Sequence, residues 1–542
     1  MPAVPVSRRR MLGYAGAGAT GALLPTATAT RAAAADGAVL QVPSAAQVAG
    51  QDIAAQYVAL RTDGYATPGD GGGATYRRLS AAPATPDRWH LRSNDGAWWE
   101  IADDVVSVRA LGAKGDYDES TSTGADDTEA LHAAARLDRV IYVPGTSRTY
   151  RCTRQISLTR DGTTWYGDGY RSKITLFSGE GGAGALIGIH GEPPTDPGQT
   201  SGPEAAPSRV VRGVHVSGLH LDTREKANDN GLGGSFVRDV WVENMYFSRI
   251  GRKALTFQYH CHNVHCRDVT IYASATEPGS THAAISVEGQ TEGLRYRNGA
   301  PPAVDLEGAD MSNLTFTNID CVMSGYNYIV VSNAHRVRFD NINCGDAKGA
   351  GAFVNFIRRV RDSHVRGIRG GTTARRLIFF DAGVSDCAVE DFHFGHTTGP
   401  AADGRAIQCA GWRNRLSGGS FGHRNAHSPE AILITGTDIT LTGVAVRECA
   451  AALVLNAAPD ATRLSLTDCR FIAATAPAFR IRGPGAIVQG NHFDMPNAPY
   501  VGRFEGPSGQ CVGNHLTGGT GQRLVVADGA TALISLNTTG AG

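Results

Sequence analysis

From Ala254 onward, apolar and polar positions alternate in a short pattern, an alanine followed by apolar, any, apolar, any, that returns at intervals close to twenty-five residues. The register reads Ala254-Leu255-Thr256-Phe257-Gln258, Ala284-Ile285-Ser286-Val287-Glu288, Ala303-Val304-Asp305-Leu306-Glu307, Tyr328-Ile329-Val330-Val331-Ser332 and, less regularly, Ala352-Phe353-Val354-Asn355-Phe356. It continues through Leu377, Ala406, Ala431, Ala452 and Ala478. Successive anchors lie 30, 19, 25, 24, 25, 29, 25, 21 and 26 residues apart, as expected of one structural unit with variable loops in a stacked array. Between the anchors lie two further period-two runs per repeat, such as Val264 to Ile271 and Leu314 to Ile319, with Gly, Asn and Asp at the corners. The expected fold is all-β: a parallel β-helix (solenoid) of roughly a dozen coils, in which each coil pairs with the next and inward residues form columns. The 68 glycines suit a chain that turns several times per coil.

Cys321, Cys344, Cys449 and Cys469 lie 16 to 18 residues after their anchors and read as a ladder of small buried side chains. Disulfides among the ten cysteines are the alternative. Formal net charge is zero, with a pI near 7.3, so no basic excess points to nucleic acid. The only long apolar run is N-terminal, where Ser7-Arg8-Arg9-Arg10-Met11-Leu12 precedes an apolar core and the small residues Ala32 to Ala35. Residues 1–35 are therefore expected to be a twin-arginine export signal, removed to give a secreted protein that no longer engages the membrane.

Residues 36–104 carry a turn-rich stretch, Tyr65 to Tyr76, and the strand-like Asp95-Gly96-Ala97-Trp98-Trp99-Glu100-Ile101. They are expected to form a small N-terminal β cap over the open end of the solenoid, which then occupies residues 105–542. The glycine-rich loop within the cap lacks a following Gly-Lys-Ser/Thr, so a phosphate-binding role is not expected. Next come Val108-Arg109-Ala110-Leu111-Gly112-Ala113-Lys114-Gly115-Asp116, Asp126-Asp127-Thr128-Glu129-Ala130-Leu131 and Val140-Ile141-Tyr142-Val143-Pro144-Gly145 with Tyr150. Asp126 or Asp127 is expected to cap a helix from about Thr128 to Leu137 that plugs the solenoid.

This motif set, with Gly167-Asp168-Gly169-Tyr170, resembles the opening of the pectate-lyase-superfamily right-handed β-helix proteins. In one respect it departs from them, because the stretch from Asp116 to Asp126 is longer than the family's usual loop. The resemblance implies a right-handed parallel β-helix acting on a long glycan, in a family that includes polygalacturonase-like and rhamnogalacturonan-cleaving hydrolases, uronate lyases, epimerases, fructan-cleaving transferases and tailspikes. The polygalacturonase motifs are missing, since the matching places hold Arg252-Lys253-Ala254, Ala283-Ala284 and Pro302-Ala303. The epimerase motif is missing too, its place taken by Thr256-Phe257-Gln258-Tyr259-His260. A homotrimer is the assembly expected.

Candidate chemistry follows from the outward positions of the repeat, which run Thr256 and Gln258, Ser286 and Glu288, Asp305 and Glu307, Val330 and Ser332, then Phe379 and Asp381. If consecutive anchors stack, Glu288 and Glu307 lie about 5 Å apart, and Asp305 and Glu307 about 7 Å apart along one strand. These spacings bracket those of two-carboxylate glycosidic cleavage, roughly 5 Å with a nucleophile and roughly 6.5–9.5 Å with a base. Crowding is expected to raise one carboxyl's pKa and make it the acid. Glu288, Asp305, Glu307 and Asp381 are thus the candidate catalytic residues. Arg295, Tyr296 and Arg297 would wall a subsite, with ring stacking and guanidinium contacts to a sugar.

A polysaccharide (uronate) lyase is the alternative, with Lys253, His260 and His282 supplying base, neutralising cation and proton donor at the substrate. A non-catalytic glycan-binding, tailspike-like protein is a third reading. No resident cofactor is expected. Calcium at Glu288, Asp305 and Glu307 is the one cation the pattern suits, whereas the cluster His260-Cys261-His262 to His265-Cys266 crosses a coil corner and does not converge on zinc. The Gly/Pro-rich stretches Gly179 to Ser208 and Thr397 to Gly404 read as loops with no interpretable motif.

Overall fold

The computed structural model describes residues 38–177, 184–192, 207–225, 229–275, 282–289, 311–347, 351–373, 375–399, 404–473, 476–521, 523–535 and 537–539. Five strands, Ala38–Val42, Tyr57–Thr62, Thr75–Arg78, Trp98–Ile101 and His90–Arg92 in that spatial order, form a separate sheet ahead of the solenoid. Everything from Val105 onward joins one continuous sheet wound into a parallel β-solenoid of about 14 turns. The small sheet touches the first turn directly: Arg88 Nη1 donates to Leu111 O at 3.2 Å, and Asp87 pairs with Arg136 at 2.8 Å. Its Leu60, Tyr76 and Trp99 belong to the same hydrophobic core as Val106 and Leu131.

The helix spans Thr128–Arg136 and buries Ala130, Leu131, Ala133, Ala134 and Ala135. Asp126 receives the Thr128 backbone N–H at 3.0 Å. Asp127, the N-cap residue by position, turns its carboxylate the other way, onto the backbone N–H groups of Lys114 (2.6 Å) and Gly115 (3.1 Å). The two aspartates therefore divide the work, one bonding the first helical turn and the other fixing the preceding glycine turn. Burial outweighs these hydrogen bonds and raises the Asp127 carboxyl to about 6.

Each turn contributes strands to three parallel sheets. The first has an inward column running Ile141, Trp165, Val216, Val242, Cys266, Phe316, Phe339, Val365 and onward to Cys511. The second carries Tyr150, Ile174, Leu221, Phe247, Ile271, Cys321 and Cys344. The third carries Ile156, Ile187, Leu232, Leu255, Ile285, Ile329, Val354, Ile378, Ile407, Ile432, Leu455, Phe479, Gly502 and Leu524. This third column is the repeat read from the sequence. Its side chains are buried, and in the inward column two residues further along each strand like stacks on like, as with Phe356 on Phe380 at 5.1 Å.

Corners are made by single residues in the left-handed region, which explains the Asn and Asp between strands. Asp239, Asn263, Arg336 and Asp362 turn one corner, while Asn244, Asp268, Asn318 and Asn341 turn another. Their side chains bond from turn to turn, as Asn341 Nδ2 to Asn318 Oδ1 at 2.8 Å.

Four expectations change. Ala303-Val304-Asp305-Leu306-Glu307 is not a rung between Glu288 and Ser332, because strand Ala283–Glu288 pairs directly with Asn327–Cys344, Glu288 opposite Ser332. At Ala352 the register is one residue later, with Val354 and Phe356 inward, and a one-residue slip exchanges the faces of a strand. Ala452 is displaced by two, since Leu455 pairs with Ile432 and Phe479. The cysteines form no single ladder: Cys321 and Cys344 are neighbours in the second sheet, whereas the Cys469 backbone N–H bonds Asn491 in a separate column. All ten are free thiols, nine of them buried, with Cys344 half-buried.

Candidate functional site

The third sheet presents its outward side chains in two columns, and the one nearer the following corner runs Ser235, Gln258, Glu288, Ser332, Ile357. Glu288 occupies the middle of it. Lys253, in the residue before the Ala254 anchor, reaches across one rung and places Nζ 2.9 Å from both Glu288 oxygens. Ser286 Oγ donates to Oε1 at 2.6 Å, and Gln258 Nε2 donates to Oε2 at 3.0 Å. Lys253 is itself buried, 7% exposed, so the ion pair lies largely out of water.

Burial works against the Glu288 charge, but the Lys253 ammonium and the Ser286 and Gln258 hydrogen bonds outweigh it and hold the carboxyl below its usual range. The expected raised pKa is therefore absent here: Glu288 is the ionised member of any acid–base pair, not the acid. His282 stands beside it and accepts from Arg252 Nε at 2.9 Å. Burial, with the charges of Arg252 and Lys253, pushes His282 down to about 4, so the ring is neutral near pH 7 and its Nε2 is an acceptor. Proton donation from that nitrogen is excluded in this arrangement. Lys253, expected as a base or substrate cation, is instead committed to Glu288.

Two hydroxyls on the same outward face, Thr256 Oγ1 and Ser332 Oγ, are buried with no hydrogen-bond partner among the described residues. Buried polar groups ordinarily have partners, so these mark positions where a polar ligand has something to bond. Strand Ala283–Glu288 then ends, and Gly289 follows. A Cβ there would sit 2.0 Å from the Asn333 carbonyl oxygen, so only glycine lets the chain leave so close to the next rung. On the neighbouring turns the same corner is made at Phe236, Tyr259, Asn333 and Arg358, all at positive φ. After Glu288 it is replaced by a segment running to Met311.

The predicted residues thus separate. Lys253, His282 and Glu288 come together. His260 lies round the corner, its ring 4.5 Å from that of His262, which bonds Ser312 Oγ through Nδ1 at 2.7 Å. Asp381 sits three rungs beyond Glu288, past Ile329 and Val354. At ~4.8 Å per rung that is ~14 Å, outside the span of a glycosidic carboxylate pair. Its carboxylate accepts from the Arg358 and Ala382 backbone N–H groups at 3.2 and 2.8 Å, a turn-closing role. Asp305, Glu307, Arg295, Tyr296 and Arg297 lie outside the described residues. Among the described residues no group of three or more His, Cys, Asp or Glu could hold a metal ion. Both Glu288 oxygens are already bonded to Lys253, a poor start for calcium.

Sequence reasoning missed Tyr259 and the arginines. Tyr259 has φ +62°, a costly conformation for a bulky side chain, and burial followed by the Glu288 charge raises its phenol above the usual value. Nothing in the alternation marks it. Arg376 and Arg405 do carry a signal, since they stand immediately before anchors as Lys253 does. The Arg376 guanidinium lies over the Phe379 ring at 4.6 Å, and Arg405 pairs with the buried Glu430.

No protein-family model matches the chain, and no curated protein matches it. Solved structures do. The full-length tailspike protein 2 of Escherichia coli O157:H7 bacteriophage CAB120 superposes at a TM-score of 0.50 with 12% identity over 75% of this chain. The chain spans only 51% of that tailspike's length. The tailspike of Acinetobacter phage vb_AbaP_AS12 gives 0.51 and 12% identity, covering 92% of this chain and 75% of its own. Lidless DFA-IIIase of Arthrobacter chlorophenolicus A6 gives 0.45 and 15%, covering 68% and 95%. Likeness at such identity is likeness of fold.

Proposed function

We propose that this is an exported carbohydrate-active enzyme that cleaves glycosidic bonds in a polysaccharide lying along the outward face of the third sheet. The observation that carries the reading is the surrounding of Glu288: a carboxylate kept ionised by Lys253, flanked by the unpartnered hydroxyls of Thr256 and Ser332, at the corner where the 290–310 segment begins. In this reading Glu288 is the charged partner of a two-carboxylate hydrolysis, as nucleophile or base, and Asp305 or Glu307 supplies the proton to the leaving oxygen. Ser286 and Gln258 hold Glu288 until sugar hydroxyls compete for them. Arg295, Tyr296 and Arg297 belong to the same proposal as subsite residues. The likeness to two tailspikes supports a solenoid of this general build and adds no chemistry. Residues 1–35 supply the export signal.

The test is incubation of the mature protein with a polysaccharide panel, following new reducing ends and unsaturated-uronate absorbance together. Reducing ends without absorbance are the expected result, and Glu288→Gln should remove them in a variant whose circular dichroism is unchanged. Reducing ends with absorbance would replace hydrolysis by elimination. Neither signal across the panel would overturn the enzymatic reading.

A further inference from the structure

A cavity lies away from the Glu288 face, at the N-terminal end of the second sheet. Its volume is about 620 Å³, and Tyr117, Glu119, Arg148, Tyr170, Arg171 and Lys173 are among its lining residues. Strand Lys173–Leu176 belongs to the Ile174 rung, three rungs before the turn that carries Glu288. One wall is formed by Tyr117 to Ser120, within the stretch from Asp116 to Asp126.

The loop is tied down by ion pairs reaching far along the chain. Glu119 meets Lys173 Nζ at 2.7 Å and Arg249 Nη2 at 2.6 Å, and Asp118 meets Arg148 at 3.3 Å. Asp222, only 1% exposed, lies beneath and shares the same two cations, Lys173 at 3.2 Å and Arg249 at 2.7 Å. Two carboxylates and two cations thus neutralise one another, leaving the wall fixed before any ligand arrives.

Tyr170 stands beside that wall and is 66% exposed, which is unusual for so large an apolar surface. It is held from below. Its ring stacks on His220 at 4.6 Å and 26°, with the Tyr246 ring edge-on at 5.8 Å. His220 Nδ1 bonds the Tyr170 carbonyl at 3.2 Å, its Nε2 bonds Ser248 Oγ at 2.7 Å, and Ser248 donates to Asp222 at 2.8 Å. A ring fixed on one face and open on the other loses little freedom when a flat ligand covers it. Arg171 follows Tyr170 in the same single-turn helix, Gly169–Arg171, and is exposed. Among the described residues it has no ion-pair partner, unlike Arg148, Lys173 and Arg249 around it.

We infer that this cavity is a glycan-binding site separate from the third-sheet groove, built for a uronate-bearing oligosaccharide whose ring face covers Tyr170 and whose carboxylate pairs with Arg171. A guanidinium suits a carboxylate in two-point contact. The site holds polymer without cleaving it, so its readout is binding, and it stands or falls independently of turnover at Glu288.

The experiment is native gel electrophoresis of the mature protein through gels containing polygalacturonate, alginate or neutral dextran. Wild type is compared with Tyr170→Ala and Arg171→Gln, both exposed positions. Expected is retardation by at least one of the two uronate polymers, weakened on the order of tenfold by Tyr170→Ala, a loss of about 1.4 kcal/mol, and several-fold by Arg171→Gln. Dextran should not retard any of the three. No retardation of wild type by either uronate polymer, or equal retardation of wild type and both variants, would overturn the site. Retardation by dextran that survives Arg171→Gln would overturn its preference for an acidic sugar.

Discussion

The two halves of the solenoid solve the same problem with different chemistry. Both must satisfy polar groups wherever the chain turns inward. Beyond Cys387 this is done by neutral amides: Asn414, Asn491 and Asn514 are essentially buried and bond from rung to rung. Asn514 Nδ2 donates to Val488 O at 2.9 Å while its Oδ1 accepts the Asn491 backbone N–H at 2.9 Å, and Asn491 does the same for Leu466 and Cys469. Here most third-sheet strands are three residues long, such as Ile407–Cys409, Ile432–Ile434 and Leu455–Ala457. In the middle turns, strands run long, Leu255–Ile271 and Asn327–Cys344, and the buried polar groups on the outward face are ions, Lys253 with Glu288. Amides serve a repeat that only has to stack. A buried ion pair is weak as a source of stability, and the later half keeps one too, Arg405 with the buried Glu430, so the contrast between the halves lies in the amide ladder.

Breaking each half should separate them. The largest effect is expected at the ion pair. Lys253→Met or Glu288→Met alone strands one buried charge and should destabilise by about 3–5 kcal/mol. The double variant should recover most of that, as read by urea denaturation. pH adds a signature. Because the folded-state carboxyl lies below its usual 4.5, its contribution is complete above that value and is lost as pH falls through the folded pKa. The stability gap between wild type and the double variant should therefore shift between pH 6 and 3, and a gap that stays constant would count against an ionised Glu288.

Next in size is the amide ladder. Asn514→Ala leaves the Asn491 N–H and the Val488 carbonyl without partners and should cost about 2–4 kcal/mol. Its effect should be the same at both pH values, since no charge is involved. A pH-dependent loss would mean that the two halves are not chemically distinct. The smallest effect belongs to the exposed corner pair Arg463 and Asp438. Arg463→Ala should leave the thermal midpoint unchanged within error, whereas a clear drop would show that surface pairs help set the spacing of turns.

The sequence shows the solenoid plainly because side-chain alternation and a repeated corner leave a period in the chain. Leu255, Ile285, Ile329, Ile378, Ile407, Ile432 and Phe479 all fall on the column the pattern assigns them. It misleads where the pattern names a rung between two strands that pair directly with each other. Ala303 to Glu307 alternates as well as any rung, but alternation describes one strand, and whether a strand joins a stack depends on a neighbour that here is already taken: Ile285 pairs with Ile329. The expected carboxylate spacing rests on that rung, whereas Asp381 stands several rungs from Glu288 in the alternation as well as in the structure. The Lys253–Glu288 pair was nearly visible, since both residues stand at fixed offsets from anchors. What alternation cannot reveal is that a lysine before one anchor reaches the end of the next strand.

Gly289 carries one more consequence. Because it lets the chain pass within contact distance of Asn333, the corner that neighbouring turns complete with one left-handed side-chain-bearing residue here takes a glycine, and Glu288 and Ser332 on either side still pair directly. The pairing that keeps the columns in register is thereby independent of what lies between Gly289 and Met311. A solenoid of this kind can accept a change of chain length at one corner while the columns that keep it folded remain unaltered.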